Sequence, residues 1–405
     1  MKWKRIEVGI VLQGGGALGA YEWGAIQALF KLMDELEGVK PTSLQVVTGV
    51  SIGAINGACI ASAKGGTEKE RRQDGLARLA ALWNELKLST PFVRRIAFGG
   101  FGLPTFTPAR DMSLLGLPGF YVPRMDFWNF WSWTSLYNTK MLEGTLKECV
   151  CFERLNAGED RPTFVVTAVD VKEGTLRRFR NKPKPPRAEA KRTEEDDESV
   201  VFEPKHILAS GSLAPQFPWT EVGDHLYWDG GLVDNTPLGD AIEAFSDDDE
   251  VYRLLIVMNL YPLTGKEPED LLEVADRVHE LSFGNRMRQD RASARRINAL
   301  VRAVDGLAKV VKDAKLTLKK ELRDDVTKAR RYKIAKTVEI DLQTPGENQP
   351  ARDDESGLRD FSPETITSRR KDGHRIAYAE IRRALVEEEI LPSQPADAKR
   401  VTVSA

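Results

Sequence analysis

Residues 10–24 read IVLQGGGALGAYEWG. A β-branched run, VGIVLQ, stops in three glycines, and the chain resumes with Ile26, Leu29, Phe30, Met33 and Leu36 on one helical face. LQVVTGV, a second short apolar strand, then runs into IGAINGACIASA, a helix of unusually small side chains that permits close packing on a sheet. Strand–helix alternation at this pace implies an α/β chain with a mostly parallel sheet covered on both faces. Further strands are expected at 162–171, 175–179, 225–228 and 252–260.

The glycines Gly14, Gly16 and Gly19 spell G-x-G-x-x-G. In a dinucleotide site this motif also requires an acidic residue about 20 positions on, at the end of the second strand, to hold the ribose hydroxyls. Here that strand ends in Gly49-Val50-Ser51-Ile52-Gly53, while Glu35 and Glu37 come too early. G-x-S-x-G between a strand and a helix is the context of a nucleophile elbow, with Gly49 and Gly53 relieving the crowding around an outward-pointing serine. The plain alternative is a serine that only caps the helix. A serine attacking an acyl carbonyl needs donors for the oxyanion, worth roughly 3–4 kcal/mol when well placed. The bare backbone of Gly14, Gly15 and Gly16 can supply them.

The proton acceptor is less plain. His279 and His374 follow in helical, charged surroundings rather than at a strand end, and His206 and His225 read as surface or packing residues. The best acid is Asp229 in HLYWDGGLVDNTPL, directly off a short strand, with Gly230 and Gly231 permitting a tight turn. Tyr227 and Trp228 could desolvate it and raise its pKa toward a useful value. Standing alone, a D-G dipeptide reads as an ordinary turn.

Taken together, GGGALG, GVSIG and DGG in this order resemble the patatin-like phospholipase family, with further likeness in ILASGSLAPQFPW (207–219) and DNTPL. The similarity covers roughly residues 6–262, and SLYNT and the DFSPETI helix look similar to a bacterial branch. The resemblance implies a three-layer α/β/α fold with C-terminal helical additions. It implies Ser51 as nucleophile, Asp229 as base and the amides of Gly14–Gly16 as oxyanion hole, with no cofactor or metal. Many members carry a basic residue where this chain has Leu18, which leaves phosphate recognition open. The expected organisation is a catalytic domain over 1–262, a basic helical segment over 263–340, and a strand–helix tail over 341–405 that packs on the catalytic domain. The implied activity is acyl-ester hydrolysis of phospholipid or lysophospholipid through an acyl-Ser51 intermediate. A thioesterase or acyltransferase on the same dyad is one alternative; an acyltransferase related by fold would carry histidine at Val50. A non-catalytic membrane-associated scaffold is the other.

The rest of the chain sets bounds. A net charge of −2 argues against a nucleic-acid partner. Three cysteines, Cys59, Cys149 and Cys151, build neither a disulfide framework nor a zinc site and read as reduced thiols. Without a signal-like start or a long apolar run, the expectation is a cytoplasmic protein with peripheral contact at a membrane. Residues 99–137 are rich in aromatics, including Phe120, Phe127, Trp128, Phe130, Trp131 and Trp133, which suit a membrane interface, an acyl channel or a subdomain core. Residues 181–199 read as an exposed charged loop, and the basic excess over 286–336 as a solvated face or an approach to anionic head groups. A last helix should start at Ser362-Pro363 and run to about Glu388.

Overall fold

Every second residue of the first strand, β1 (Arg5–Leu12), points to a thick core: Ile6, Val8, Ile10 and Leu12 all belong to it. Val11, of opposite parity, joins a thinner cluster on the other face with Val46, Leu255, Val257 and Phe245. A strand buried on both faces needs strands on both edges, and β1 has them in a computed structural model of the chain. The described residues are 3–88, 113–158, 160–183, 199–246, 248, 250–261, 267–268, 271–330, 336–341 and 357–393. Residues 99–112 of the aromatic-rich segment, 184–198 of the charged loop, and 342–356 and 394–405 of the tail lie outside them.

After β1 come α1 (Gly19–Glu37), β2 (Thr42–Gly49), α2 (Ile52–Ala61) and α3 (Glu68–Glu85). A small ribbon of β3 (Val122–Pro123) and β4 (Tyr137–Asn138) precedes α4 (Lys140–Cys149) and α5 (Phe152–Leu155). Then follow β5 (Thr163–Asp170), β6 (Leu176–Arg180), α6 (Pro204–Ser210), β7 (Thr220–Val222), β8 (His225–Asp229), α7 (Leu238–Glu243) and β9 (Val251–Asn259). The chain ends in α8 (Leu271–Asp313), α9 (Lys320–Arg330), β10 (Lys336–Asp341) and α10 (Pro363–Glu387).

Five strands run parallel in the order β10-β9-β1-β2-β5, and β6, β8 and β7 add antiparallel pairings, for eight in all. Helices α1, α2, α3 and α10 contribute to the thick core, and α7 covers the other face. This is the three-layer, mostly parallel α/β/α arrangement expected, with helices added at the C-terminal end. The edge strand β10 falls earlier than the tail expected at 341–405, inside the span read as basic and helical. Val338 and Ile340 turn inward while their charged neighbours hide the alternation.

The last helix starts as its sequence dictates, with the Ser362 hydroxyl accepting from the Thr365 amide and Pro363 in the first turn. It crosses α1 at two glycines. A Cβ on Gly24 would sit 1.9 Å from the Arg370 carbonyl oxygen, and one on Gly373 2.0 Å from that of Tyr21. Only hydrogen in both places lets the backbones approach so closely.

The placing of β8 fixes where Asp229 lies. On β5, residues Thr163–Val166 pair with β2 and Ala168–Asp170 with β8, while β6 holds Val165–Val169. Since β6 overlaps both and a strand has two edges, β2 and β8 share the same edge of β5. They enter it from opposite ends. Where they meet, both must leave: β2 at Gly49 and β8 at Asp229, with Thr167 between them.

Candidate active site

The two exits from β5's edge bring Ser51 and Asp229 together. Leaving β2, the backbone doubles back sharply, and Ser51 takes φ 53° and ψ −125°, a conformation costly for any residue with a Cβ. The turn closes because its flanking positions are bare. A Cβ on Gly53 would lie 2.6 Å from the carbonyl oxygens of both Leu12 and Gln13, and one on Gly49 2.5 Å from that of Gly53. The Ser51 side chain makes no cap bond to α2, which removes the reading of a simple helix cap. It instead lines the same cavity as the Asp229 carboxylate, close enough to lower that group's proton affinity. The Ser51 backbone amide donates to the Ser210 hydroxyl at 2.9 Å, tying the turn to the end of α6.

Asp229 is buried. It accepts the Gly231 amide at 2.8 Å, and its own amide donates to the Ser212 carbonyl at 3.0 Å. Gly230 lets the chain pass over β5, since a Cβ there would meet the Thr167 carbonyl oxygen at 2.4 Å. Burial pushes the carboxyl up to about 7, against the opposing pull of the Gly231 amide and the Ser51 hydroxyl. A carboxylate in that range can take a proton near neutral pH and give it back.

The glycine loop lies beside the serine, with a Cβ on Gly14 falling 2.9 Å from the Cβ of Ser51. Its three amides are not equivalent. That of Gly14 donates to the Asn235 side-chain oxygen at 3.0 Å, and the Gly14 carbonyl accepts the Tyr261 hydroxyl at 2.6 Å. Among the described residues the amides of Gly15 and Gly16 have no protein acceptor. One glycine is the anchor, and the next two present donors.

Behind the loop lies a buried polar network. The Gln13 amide donates to Glu22 at 2.7 Å, and Asn56 donates to the same carboxyl at 3.0 Å and accepts the Trp83 indole N–H at 3.0 Å. The Gln13 side chain donates to the Thr236 hydroxyl at 2.8 Å and accepts the Leu260 amide at 2.9 Å, joining the ends of β1 and β9 to the segment after β8. Burial pushes Glu22 up to about 8, so it is largely neutral at pH 7.

None of the four histidines is bonded to Ser51. His206 is buried against Phe179 and Phe202, His225 pairs with Asp170 at 2.7 Å, and His374 stacks on Tyr378. His279 engages the Ala275 carbonyl at 3.0 Å through Nδ1 and lines the cavity wall. Leu18 is buried beside the loop. Among the described residues no group of three or more His, Cys, Asp or Glu could hold a metal ion, and the three cysteines are unpaired. Ser210, Asn235 and Tyr261 were not singled out from sequence. The first two lie in ILASGS and DNTPL, stretches noted only for their likeness to the family.

Ser51, Asp229 and the glycines form the floor of a cavity of about 900 Å³ including its open mouth. Its walls are largely apolar, including Ile52, Ile55, Leu213, Phe120, Phe217 and Phe361, and the ion-paired Asp276 and Arg359 also line it. Largely apolar walls of this kind suit an acyl chain.

Comparison with solved structures finds likeness to VipD from Legionella pneumophila, 14% identical, over 94% of this chain and 67% of that one, with a TM-score of 0.36. ExoU of Pseudomonas aeruginosa, in its complex with SpcU, is 14% identical over 95% of this chain and 52% of that one, with a TM-score of 0.32. The chain thus spans about half the length of ExoU. No curated protein sequence matches it. The family model for the patatin-like phospholipases matches residues 10–242, more than half of the chain, and the protein belongs to that family.

Proposed function

We propose that the protein is a serine acyl-ester hydrolase that releases fatty acid from phospholipid or lysophospholipid, with Ser51 as nucleophile and Asp229 as its base. The observation that carries this reading is the meeting, in one cavity beside the glycine loop, of Ser51 on its strained turn and a buried carboxylate lifted to about 7. Ser51 Oγ attacks the ester carbonyl carbon as Asp229 takes its proton, and the carbonyl oxygen becomes an anion facing the Gly15 and Gly16 amides. Collapse expels the alcohol, the lysolipid or glycerophospho group, which leaves with the proton from Asp229. Water, giving its proton to the same carboxylate, then attacks the acyl-Ser51 ester, and as the fatty acid is freed Asp229 returns that proton to Ser51 Oγ. Gly14 holds the loop rather than the oxyanion, since its amide is committed to Asn235.

The phospholipase family supports a lipid substrate, and the apolar walls above the dyad suit its acyl chain. Among the described residues no helix is long and apolar enough to cross a membrane. As a separate part of the proposal, a lipid substrate would be met by peripheral approach to the cytoplasmic side of a membrane. A fluorophosphonate probe tests the chemistry: the wild type should label at one serine, and Ser51→Ala should neither label nor release fatty acid from a defined phospholipid panel. Labelling that persists in Ser51→Ala refutes the assignment.

A further inference from the structure

The stretch between Tyr121 and Tyr137 is a hairpin, with Val122 paired to Asn138 and Pro123 to Tyr137. At its base the two tyrosines meet edge to face, with ring centroids 4.8 Å apart, and line the cavity above the dyad. Its tip, the 3-10 turn Phe127–Ser132, is built the opposite way. Trp131 is 97% exposed, Trp128 86%, Phe127 64% and Phe130 53%, and Met125 just before them is 69% exposed. Large rings left in water are costly unless something covers them.

The rings are held out by contacts internal to the hairpin. Half-buried Trp133 is the hub, with Phe127 at 5.6 Å, Phe130 at 5.3 Å and the Arg124 guanidinium 5.0 Å over its ring. Arg124 in turn makes two hydrogen bonds to Asp126, at 3.0 and 2.6 Å, so this ion pair is neutral as a unit. The tip sequence FWNFWS contains no ionisable residue. Exposed Val122 and Leu136 continue the apolar surface down the stem to Tyr137 at the cavity wall.

We infer that this knob inserts into the boundary between head groups and acyl chains of a phospholipid bilayer, setting the cavity mouth against the surface that supplies the substrate. The inference rests on the lipid-hydrolase reading above for the identity of what lies opposite the mouth. Tryptophan rings prefer the interfacial layer, where the indole N–H stays hydrated and the ring does not. A tip without ionisable residues avoids the penalty of carrying a charge into that layer. The apolar track to Tyr137 makes the tip continuous with the wall along which a lipid chain would climb to Ser51.

The test compares wild type, W128S/W131S and S51A. Each is sedimented with sucrose-loaded vesicles of neutral phosphatidylcholine, which excludes attraction of the basic helices to anionic lipid, and is assayed on a water-soluble p-nitrophenyl butyrate. Wild type and S51A should bind vesicles alike. W128S/W131S should bind at least about tenfold more weakly, lose vesicle-lipid hydrolysis in proportion, and hydrolyse the soluble ester within twofold of wild type. Wild-type tryptophan fluorescence should be quenched by lipids brominated on the acyl chains, and most of that quenching should vanish in the double variant. The inference is overturned if wild type stays in the supernatant, or if the double variant sediments as wild type does. A wild-type dimer that W128S/W131S converts to monomer overturns it too, because a second copy then covers the rings. Ester hydrolysis retained by S51A refutes the nucleophile assignment alone and leaves the vesicle results to judge the knob.

Discussion

Replacing Asp229 with asparagine should destroy activity and, above neutral pH, stabilise the protein. The carboxyl is lifted from its ordinary 3.8 to about 7 chiefly by burial. In the folded protein its charged form is therefore disfavoured by about 4 kcal/mol relative to the unfolded chain. Below pH 3.8 both states hold the proton, so Asp229 contributes no pH dependence there. Between 3.8 and about 7 the unfolded chain ionises first and stability falls as pH rises; above about 7 the full cost is present. Asparagine carries no such cost and keeps an oxygen for the Gly231 amide. The gap between Asp229→Asn and wild type should widen from near zero at pH 4 to about 2–4 kcal/mol at pH 8, allowing for relaxation around the charge. Glu22, which also titrates abnormally, is common to both proteins and cancels. Urea unfolding of the two proteins at pH 4.5 and 8 measures the gap. In parallel, kcat/KM of wild type on a soluble ester should rise with a midpoint near 7, and the variant should fall by roughly 10³-fold or more. A stability gap that does not change with pH, or a rising limb centred below pH 5, refutes the argument that burial sets the proton affinity of this group.

Asn235→Ala should cost roughly 10- to 100-fold in kcat on a soluble ester, because the Gly14 amide and carbonyl both lose a partner and the loop can shift. Fluorophosphonate labelling kinetics and kcat measured together check this, and unchanged values would remove Asn235 from any positioning role. Gly373→Ala should destabilise by about 3 kcal/mol or more, since the new Cβ meets the Tyr21 backbone at 2.0 Å and neither helix can yield locally. Thermal unfolding together with limited proteolysis within α10 would report it, and an unchanged midpoint would contradict the close crossing.

The strand–helix units were legible because periodicity and punctuation agreed. VGIVLQ ends in glycines, and GVSIG has a glycine at each place where the turn leaves no room for a Cβ. The spatial meeting of Ser51 and Asp229 was not legible from local pattern. It depends on β8 entering the β5 edge that β2 has vacated, a tertiary choice that neither HLYWD nor LQVVTG encodes by itself. The unequal roles of the three glycine amides were hidden for a related reason. The Gly14 amide is taken by Asn235, whose position in the chain gives no hint of contact. The aromatic-rich segment could be read as core or interface, and within the described residues it is both. Phe120 is buried and Trp131 is almost wholly exposed, a division made by the hairpin rather than by composition.

Ser51 and Asp229 come from strands that reach one lane of the sheet from opposite directions, so the lane works as a latch. On the proposed dyad, a growing chain that has folded through α2 carries Ser51 on its strained turn but lacks the carboxylate partner until residue 229 has been made and β8 has docked. If the proposed hydrolysis of lipid is right, the protein is thereby kept inactive for more than half of its own synthesis. Any agent that pries β8 from β5 should return it to that state without touching either reacting group.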